Sequence, residues 1–201
     1  AKAFAYALNK PLIAVNHIRG HLAAAYLSDA ELQPPFVTLL ASGGHTAILY
    51  AKSEAEFEFL GATLDDAAGE AMDKAARTVG LPYPGGVNLD KISKDGDNTK
   101  YKFPKPRVDG SPLDFSFSGL KTNVINLVHN AEQKGENVNP ADVGASFINA
   151  VANCLCENTE KAMEDTGYTT LVLAGGVSAN SVLRADVIEL CKKHGWKLYL
   201  P

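Results

Sequence analysis

Apolar residues recur along the chain in two patterns, short continuous runs and longer stretches with a helical period. Short runs of β-type residues bounded by proline, glycine or polar turns predict buried strands. These predicted strands cover residues 11–15, 36–41, 46–52 and 171–173, with a last strand-like run at 197–201. Stretches with apolar residues three or four apart predict helices at residues 1–8, 17–27, 64–79, 120–131, 140–166 and 179–193. This alternation of strands and helices, with a hairpin among them, indicates an α/β protein with a mixed sheet.

Turn and capping signals refine the boundaries of these elements. Asn16 stands where an N-cap is expected, directly before an alanine- and leucine-rich stretch. Residues 42–45 contain two glycines between two apolar runs, which predicts a β-hairpin. Thr63, with Asp66 at the capping-box position, predicts the start of the following helix. Residues 81–118 are rich in proline and glycine and are expected to form an irregular insertion.

Composition places the chain among ordinary globular proteins, with 46% hydrophobic and 21% charged residues. Its 201 residues suffice for one sizeable core, or for one lobe of a two-lobed protein with part of the other. The net charge of −4, without a long run of one sign, argues against a general nucleic-acid-binding surface but allows a local basic patch. No run of 18 apolar residues and no signal peptide is present, so a cytoplasmic location is expected.

The ends and the cysteines add two expectations. The chain opens on Ala1 without an initiator methionine and stops at Pro201, so it is expected to be the middle of a longer protein. A site completed outside this segment would then be incomplete here. Cys154, Cys156 and Cys191 are odd in number and fall on predicted helices, which favours reduced structural thiols over disulfides or a zinc knuckle.

Two histidines form the first candidate for chemistry. His17 and His21 are four residues apart on a predicted helix, so their imidazoles would lie on one face, one turn apart. Imidazole pairs suit zinc, iron, copper or nickel, although such spacing also arises by chance on a solvated surface. A zinc protease would need glutamate beside the first histidine as general base, and Ile18 holds that position. A metal site would require a third ligand from elsewhere.

Two glycine turns follow predicted strands and are candidates for anion or nucleotide binding. Residues 40–44 run from a strand into Ser-Gly-Gly, where backbone N–H groups and the Ser42 hydroxyl could approach an anion. An ordinary hairpin turn would need the same glycines. Residues 171–180 run from a strand through two glycines towards a helix, which suits a nucleotide lying across a helix N-terminus, with Asn180 free to hydrogen-bond it. The spacing matches neither a dinucleotide-binding fingerprint nor a P-loop.

Carboxylates between the two glycine turns are candidates for binding a ribose or a substrate amine. Asp73 lies on a polar helical stripe that also carries Asp66 and Glu70, and Asp90 follows one segment later. Most such stripes are solvated faces of amphipathic helices. Gly69, however, interrupts this helix at a cost of about 1 kcal/mol, which indicates that another group approaches closely.

A basic segment, KYKFPKPR, is a candidate for contact with nucleic acid. Lys102, Lys105 and Arg107 lie among two aromatic residues and two prolines, a composition that could contact phosphates and stack a base. The competing interpretation is a solvated basic loop.

Five motifs together resemble one known family. NHIRGH, LLASGGHT, TLDDAAGEAMDKAARTVGLPYPGG, DFSFSGLKT and LVLAGGVSAN have the order and spacing of bacterial TsaD proteins. These are the tRNA N6-adenosine threonylcarbamoyltransferases, formerly named O-sialoglycoprotein endopeptidases or glycoproteases (peptidase M22). The resemblance covers nearly the whole chain.

The resemblance implies a two-lobed actin-like/hexokinase-like (ASKHA) architecture. Residues 1–35 would end the N-terminal lobe and residues 36–201 would form the C-terminal lobe, with the irregular insertion at about 81–118. The family transfers threonylcarbamoyl from threonylcarbamoyl-AMP to N6 of the adenosine beside the anticodon, in tRNAs that read codons beginning with A. It acts with TsaB and TsaE, while TsaC supplies the intermediate.

The resemblance also implies roles for single residues. His17 and His21 would ligate one divalent metal per subunit, expected as iron with zinc as the alternative, and the third ligand would be an aspartate outside this chain. The remaining implied substrate-binding residues are Leu40, Ala41, Ser42, Gly43, Gly44, Asp73, Gly86, Asp90 and Asn180. Arg19 replaces a glutamate found in many relatives, at a spacer position where tolerance is expected.

Three other functions stay open at this point. A non-catalytic scaffold subunit of the same complex would share the fold, but it would have no use for a histidine pair. A metalloprotease lacks its general base here. A small-molecule kinase or ATPase of the same fold would bind ATP rather than threonylcarbamoyl-AMP.

Overall fold

The computed structural model describes residues 1–106 and 108–201. Five strands form one sheet in the order β3-β2-β1-β4-β5. The strands are β1 Phe36–Ala41, β2 Thr46–Ala51, β3 Phe57–Ala62, β4 Thr170–Ala174 and β5 Lys197–Tyr199. The helices are α1 Lys2–Ala7, α2 His17–Ser28, α3 Ala68–Thr78, α4 Gly85–Ser93, α5 Ser118–Lys134, α6 Pro140–Thr166 and α7 Ser181–His194, with a 3₁₀ turn at Gly176–Ala179.

The sheet is mixed, as predicted. β1 pairs antiparallel with β2 and parallel with β4, β2 pairs antiparallel with β3, and β4 pairs parallel with β5. Because β1 lies at the centre, it is covered on both faces. Val37 and Leu39 point into the larger core, whereas Phe36 and Leu40 point into a smaller core with Leu22 of α2. Burial on both faces explains why β1 is a continuous apolar run rather than an alternating one.

Several predicted elements are confirmed. β1 and β2 form the hairpin, and α6 has the predicted bounds of residues 140–166. The side chain of Asn16 caps α2, since its Oδ1 accepts from the N–H groups of Ile18 at 2.9 Å and Arg19 at 3.2 Å. The three cysteines are free thiols. Within the residues that the structure describes, no helix is long and apolar enough to cross a membrane.

The predicted strand at residues 11–15 is wrong. These residues form no strand, and their side chains are exposed, with Ile13 at 85% and Val15 at 76%. A short apolar run becomes a buried strand only when a neighbouring strand supplies the hydrogen-bonding ladder. The edges of this sheet are β3 and β5, and neither pairs with residues 11–15.

The predicted start of the acidic helix is also wrong, because α3 begins at Ala68 rather than next to Thr63. Thr63 donates its hydroxyl to the carbonyl of Asp66 at 2.8 Å, within a loop. Distant partners hold that loop: Asp65 accepts from the Phe117 N–H at 2.8 Å, at the start of α5. Local capping signals did not anticipate these long-range bonds.

Two elements were not predicted. The irregular interpretation of residues 81–118 is wrong for α4, which occupies Gly85–Ser93 directly after a proline-rich turn. β3, at Phe57–Ala62, pairs only with β2 and lies at the edge of the sheet. Its side chains are mostly half-buried or exposed, which explains the weak apolar signal in its sequence.

The carboxyl ends of the parallel strands β1 and β4 lie side by side, and Gly175 makes this possible. Gly175 follows β4 at φ +92°, and a Cβ placed there would lie 2.3 Å from the carbonyl oxygen of Ala41. Gly167 has a similar φ of +71° at the end of α6, but a Cβ there would meet open space. Gly175 is therefore required both by its positive φ and by the close approach of Ala41, whereas Gly167 is required by its positive φ alone.

We expect Gly175→Ala to lower the free energy of unfolding by at least about 3 kcal/mol, because it adds a steric clash to an unfavourable backbone conformation. Gly167→Ala is the matched control and should cost about 1 kcal/mol from backbone conformation alone. Urea unfolding of both variants measures the difference. Equal losses would show that the close approach to Ala41 is unimportant for stability.

Candidate functional site

A cleft of about 430 Å³ opens at the carboxyl ends of β1 and β4. This is the edge of a parallel strand pair where α/β proteins commonly bind ligands, and the volume is in the range of small-molecule sites. The structure brings five of the predicted site residues to this cleft. They are Gly43, Asp73, Gly86, Asp90 and Asn180.

The turn between β1 and β2 forms one end of the cleft. Gly43 and Gly44 are exposed, whereas the side chains of Leu40 and Ala41 are fully buried in the sheet. Leu40 and Ala41 therefore support the turn rather than offer side chains to a ligand. The Ser42 hydroxyl is used within the turn, where it donates to the His45 carbonyl at 3.2 Å and its oxygen accepts from the His45 N–H at 3.0 Å. An anion would have to replace the His45 carbonyl as the acceptor from this hydroxyl, whereas the glycine backbone is exposed.

Gly69 allows α3 to pack against this turn. A Cβ at Gly69 would lie 2.7 Å from the carbonyl oxygen of Ser42, and the Gly69 N–H donates to that oxygen at 3.2 Å. The close approach inferred from a glycine inside a helix is therefore confirmed, and the approaching group is the turn at Ser42. This contact sets the distance between the glycine turn and the carboxylate of Asp73 one turn along α3.

Asp73 links α3 to α4. Its Oδ1 accepts from the Gly86 N–H at 2.8 Å, which satisfies a free backbone donor in the first turn of α4. Gly85 packs so closely on α3 that a Cβ there would lie 2.7 Å from the Asp73 Cα. Asp73 lines the cleft, and within the described residues no hydrogen bond uses its Oδ2.

Asp90 links α4 to α7 in the same way. Its Oδ1 accepts from the Asn180 side-chain amide at 2.9 Å, the Ser181 N–H at 3.0 Å and the Ser181 hydroxyl at 2.8 Å. Asn180 is 7% exposed and its own Oδ1 accepts from the Leu183 N–H at 3.0 Å, which caps α7. Asn180 is thus oriented by two bonds, and Oδ2 of Asp90 has no hydrogen-bond donor among the residues described.

The histidine pair lies at the start of α2. The Nε2 atoms of His17 and His21 are 3.2 Å apart. Two nitrogens that each lie about 2.1 Å from one metal ion are about 3.0 Å apart when the nitrogen–metal–nitrogen angle is a right angle. They are about 3.4 Å apart when that angle is tetrahedral. The separation therefore fits a shared metal ion. The pKa of His21 is lowered, first by partial burial and then by the charges of His17 and His45. A lower pKa favours the neutral imidazole, which is the form that ligates metals.

His45 was missed by the sequence analysis. It follows the two glycines of the β1–β2 turn, and its ring centroid is 5.0 Å from that of His17. The signal was present in the motif SGGH, but only the tertiary fold places that turn beside α2. The histidine pair and the glycine turn are therefore adjacent.

A second group with metal-ligand chemistry lies elsewhere. One ligand atom each from Glu160, Glu164 and His194 falls within 4.8 Å of the others. Glu160 already pairs with Lys193 at 2.8 Å and His194 at 2.6 Å, and these bonds lower the pKa of its carboxyl. Since α7 separates this group from Asn180 by about 20 Å, it is not part of the cleft.

The basic segment is only partly free. Lys102 is exposed, whereas Lys105 forms an ion pair with Glu157 of α6. Arg107 lies outside the described residues. Phe103 is half-buried and packs edge-on against Phe147, with ring centroids 5.9 Å apart. Whether the segment contacts tRNA stays a prediction.

Comparison with known proteins identifies relatives over the whole chain. The sequence model described as TsaD, tRNA N6-adenosine threonylcarbamoyltransferase, matches residues 1–201. A curated protein of that name from Clostridium botulinum is 50% identical over 201 residues, which are 100% of this chain and 59% of the relative. One from Thermosipho africanus is 49% identical over 100% of this chain and 60% of its own length. The chain therefore spans about 59% of the length of such relatives.

Solved structures support the fold. Full-length HypF, crystallised in a phosphate- and nucleotide-bound form, superposes with a TM-score of 0.72 at 15% identity, over 100% of this chain and 34% of HypF. Component A of (R)-2-hydroxyglutaryl-CoA dehydratase from Acidaminococcus fermentans gives a TM-score of 0.51 at 16% identity, over 92% and 61%. At these identities the likeness concerns the fold alone, and it agrees with the predicted actin-like/hexokinase-like class.

We expect Asp90→Ala to lower the free energy of unfolding by about 2 kcal/mol, because it removes the acceptor of three hydrogen bonds at the start of α7. Asp90→Asn keeps one carbonyl oxygen as acceptor and should cost less. Asp95→Ala, at an exposed position just after α4, is the control and should be near neutral. Chemical denaturation of the three variants measures these effects. A neutral Asp90→Ala would contradict the anchoring role.

Proposed function

This chain belongs to the TsaD family of tRNA N6-adenosine threonylcarbamoyltransferases, and from that premise we propose that the full-length protein performs the family's transfer. It would move threonylcarbamoyl from threonylcarbamoyl-AMP to N6 of the adenosine beside the anticodon. The observation that carries the proposal is the cleft, where Gly43 of the exposed glycine turn and two carboxylates, each bonded to the described residues through Oδ1 alone, line a single cavity.

The arrangement of the cleft suggests how the intermediate would lie. Oδ2 of Asp73 and Oδ2 of Asp90 are acceptors suited to ribose hydroxyl donors. Gly43 and Gly44 offer exposed backbone to the phosphate and carbamoyl end. Asn180 lines the same cavity from the 3₁₀ turn. The phosphate- and nucleotide-bound form of HypF, a protein of similar fold, is consistent with this assignment.

The proposed reaction requires no covalent intermediate with the protein. The N6 amine attacks the carbamoyl carbon, the bond from that carbon to the phosphate oxygen breaks, and AMP leaves with the electron pair while the amine loses a proton. Because AMP is already a good leaving group, a protein nucleophile is unnecessary. Positioning of the two reactants and stabilisation of developing charge are the principal contributions.

We propose that His17 and His21 hold a divalent metal, iron or alternatively zinc. Their Nε2 separation of 3.2 Å supports this assignment, and an aspartate from the remainder of the full-length protein would complete the site. A metal bound there supplies Lewis-acid charge to phosphate or carbonyl oxygens. His45, at the end of the glycine turn, lies next to His17. The phosphate end of the intermediate would therefore be within reach of both the glycine turn and the metal held by the histidine pair.

The partners follow from the family and are part of the proposal. The protein would act on tRNA in the cytoplasm, together with TsaB and TsaE, and TsaC would make the intermediate. Residues 1–35 would end the N-terminal lobe and residues 36–201 would belong to the C-terminal lobe. A metalloprotease is disfavoured because Ile18 occupies the position of the required glutamate base.

In the full-length protein, we expect His17→Ala/His21→Ala to lose the bound metal and to abolish formation of threonylcarbamoyladenosine. Metal content by mass spectrometry and nucleoside analysis of unmodified tRNA, incubated with TsaB, TsaE, ATP and threonylcarbamoyl-AMP, measure the two effects. His129→Ala is the control, since His129 lies on α5 and bonds Gln133.

Equal product from the double variant would leave the transferase assignment but remove the histidines from it. An absence of product from the unaltered protein, with active partners, would favour a scaffold subunit. Retained metal in the double variant would reject the ligand assignment.

We propose that the segment at residues 100–107 forms part of the tRNA-binding surface. Lys102→Ala, Lys105→Ala and Arg107→Ala together should weaken tRNA binding and reduce its salt slope by about 2 to 3, because each lost phosphate contact removes about 0.7–0.9. The control, Lys2→Ala with Lys134→Ala and Lys192→Ala, removes the same charge from exposed positions on α1, α5 and α7. Filter binding at several salt concentrations provides the slopes. Equal slopes for both triple variants would exclude this segment.

A further inference from the structure

An apolar edge at the mouth of the cleft has no partner in the described structure. Tyr83 is 85% exposed and Val87 is 68% exposed, and both line the cavity. Single exposed apolar residues are normal on protein surfaces. Here, however, an aromatic ring and an aliphatic side chain four residues apart border the same cavity as Asp73 and Asp90. An apolar wall beside a few oriented polar groups is the usual composition of a small-molecule site.

The backbone that carries Tyr83 is firmly held. The side-chain amide of Asn88 donates to the carbonyl oxygens of Pro82 at 2.9 Å and Pro84 at 3.0 Å, on both sides of Tyr83. Gly85 packs tightly on α3, and the Gly86 N–H donates to Asp73 at 2.8 Å. The turn is therefore braced from two directions although the Tyr83 ring itself is free. A ligand that contacts the ring would have to order only a side chain with few rotatable bonds.

The 3₁₀ turn after β4 also lines the cavity. Gly176, Val177 and Ala179 line the cavity there, and Met72 contributes from α3. These groups are small or apolar, and none carries a charge. The acidic and amide groups lie at Asp73, Asp90 and Asn180. The lining of the cavity therefore combines uncharged, small or apolar groups with a few polar groups that suit a sugar.

We propose that Tyr83 stacks on the adenine ring of the nucleotide and that Val87 covers its edge, a role that rests on the proposed function. Every base presents a π-face, and stacking on an aromatic side chain contributes substantially to binding. With the ribose at Asp73 and Asp90, the base extends towards α4 and the phosphate towards Gly43. Tyr83 then positions the intermediate by its base and does not contact the reacting carbonyl.

The test measures the binding of AMP and of ribose 5-phosphate to the full-length protein by isothermal titration calorimetry. Tyr83→Ala should weaken AMP binding about tenfold and leave ribose 5-phosphate binding unchanged, since only AMP has a base to stack. Tyr83→Phe keeps the ring and should bind AMP within about twofold of the unaltered protein. Phe59→Ala, which removes a 54% exposed ring from β3, is the control for loss of an exposed aromatic residue.

Each outcome decides the proposal separately from the function. Equal AMP affinity for Tyr83→Ala and the unaltered protein, or an equal loss for ribose 5-phosphate, would overturn the stacking role. If Tyr83→Ala binds AMP as well as the unaltered protein does, and the unaltered protein still forms threonylcarbamoyladenosine, the transferase assignment would stand without the stacking role. The predicted pattern without any transfer to tRNA would retain Tyr83 as a base-stacking residue and reject the transferase. Failure of the unaltered protein to bind AMP would overturn the stacking role as well.

Discussion

Backbone-to-backbone packing around the end of β1 is the constraint on which the rest of the site depends. The segment Ala41–Gly43 is approached on one side by Gly175 and on another by Gly69, each so closely that a Cβ would lie under 3 Å from a carbonyl oxygen. Three elements, β1, α3 and the turn after β4, therefore converge without intervening side chains. This convergence leaves room for the cleft, and it places the exposed Gly43 at its end.

The carboxylates that face the cleft serve the fold and the proposed ligand with different oxygens. Asp73 and Asp90 each use Oδ1 to satisfy free N–H donors at the start of a helix, α4 and α7 respectively. Such bonds fix the side-chain rotamers, and charge-assisted bonds are among the stronger ones. The second oxygen of each group is thereby held in place before any ligand arrives. Pre-ordered acceptors lower the entropic cost of binding, which is a physical reason for aspartate at both positions.

Sequence reasoning succeeded where the signal was local or periodic and failed where distant partners decided. The α2 cap at Asn16 and the hairpin around Ser42 are encoded by neighbouring residues, and Gly69 correctly indicated a close approach. The start of α3 was misplaced because Asp65 binds Phe117, a contact between residues 52 positions apart. The contact between Phe103 and Phe147 likewise joins residues far apart in the sequence, and the composition of the basic segment gave no sign of it. Roles for Asp73 and Asp90 were predictable as candidates, but their helix-capping bonds required the tertiary structure.

The position of His45 connects the two halves of the proposed site. α2 packs on the opposite face of the sheet from α3, α6 and α7, so the histidine pair and the carboxylates approach the end of β1 from different sides. The β1–β2 turn projects beyond the sheet between them, with Gly43 lining the cleft and His45 next to His17. A nucleotide whose base and ribose occupy the cleft would therefore direct its phosphate over the glycines towards the histidines. On this proposed arrangement the scissile bond would lie close to the turn, where a Cβ at Gly43 or Gly44 would meet open space, so the glycines leave that side of the turn free for a ligand.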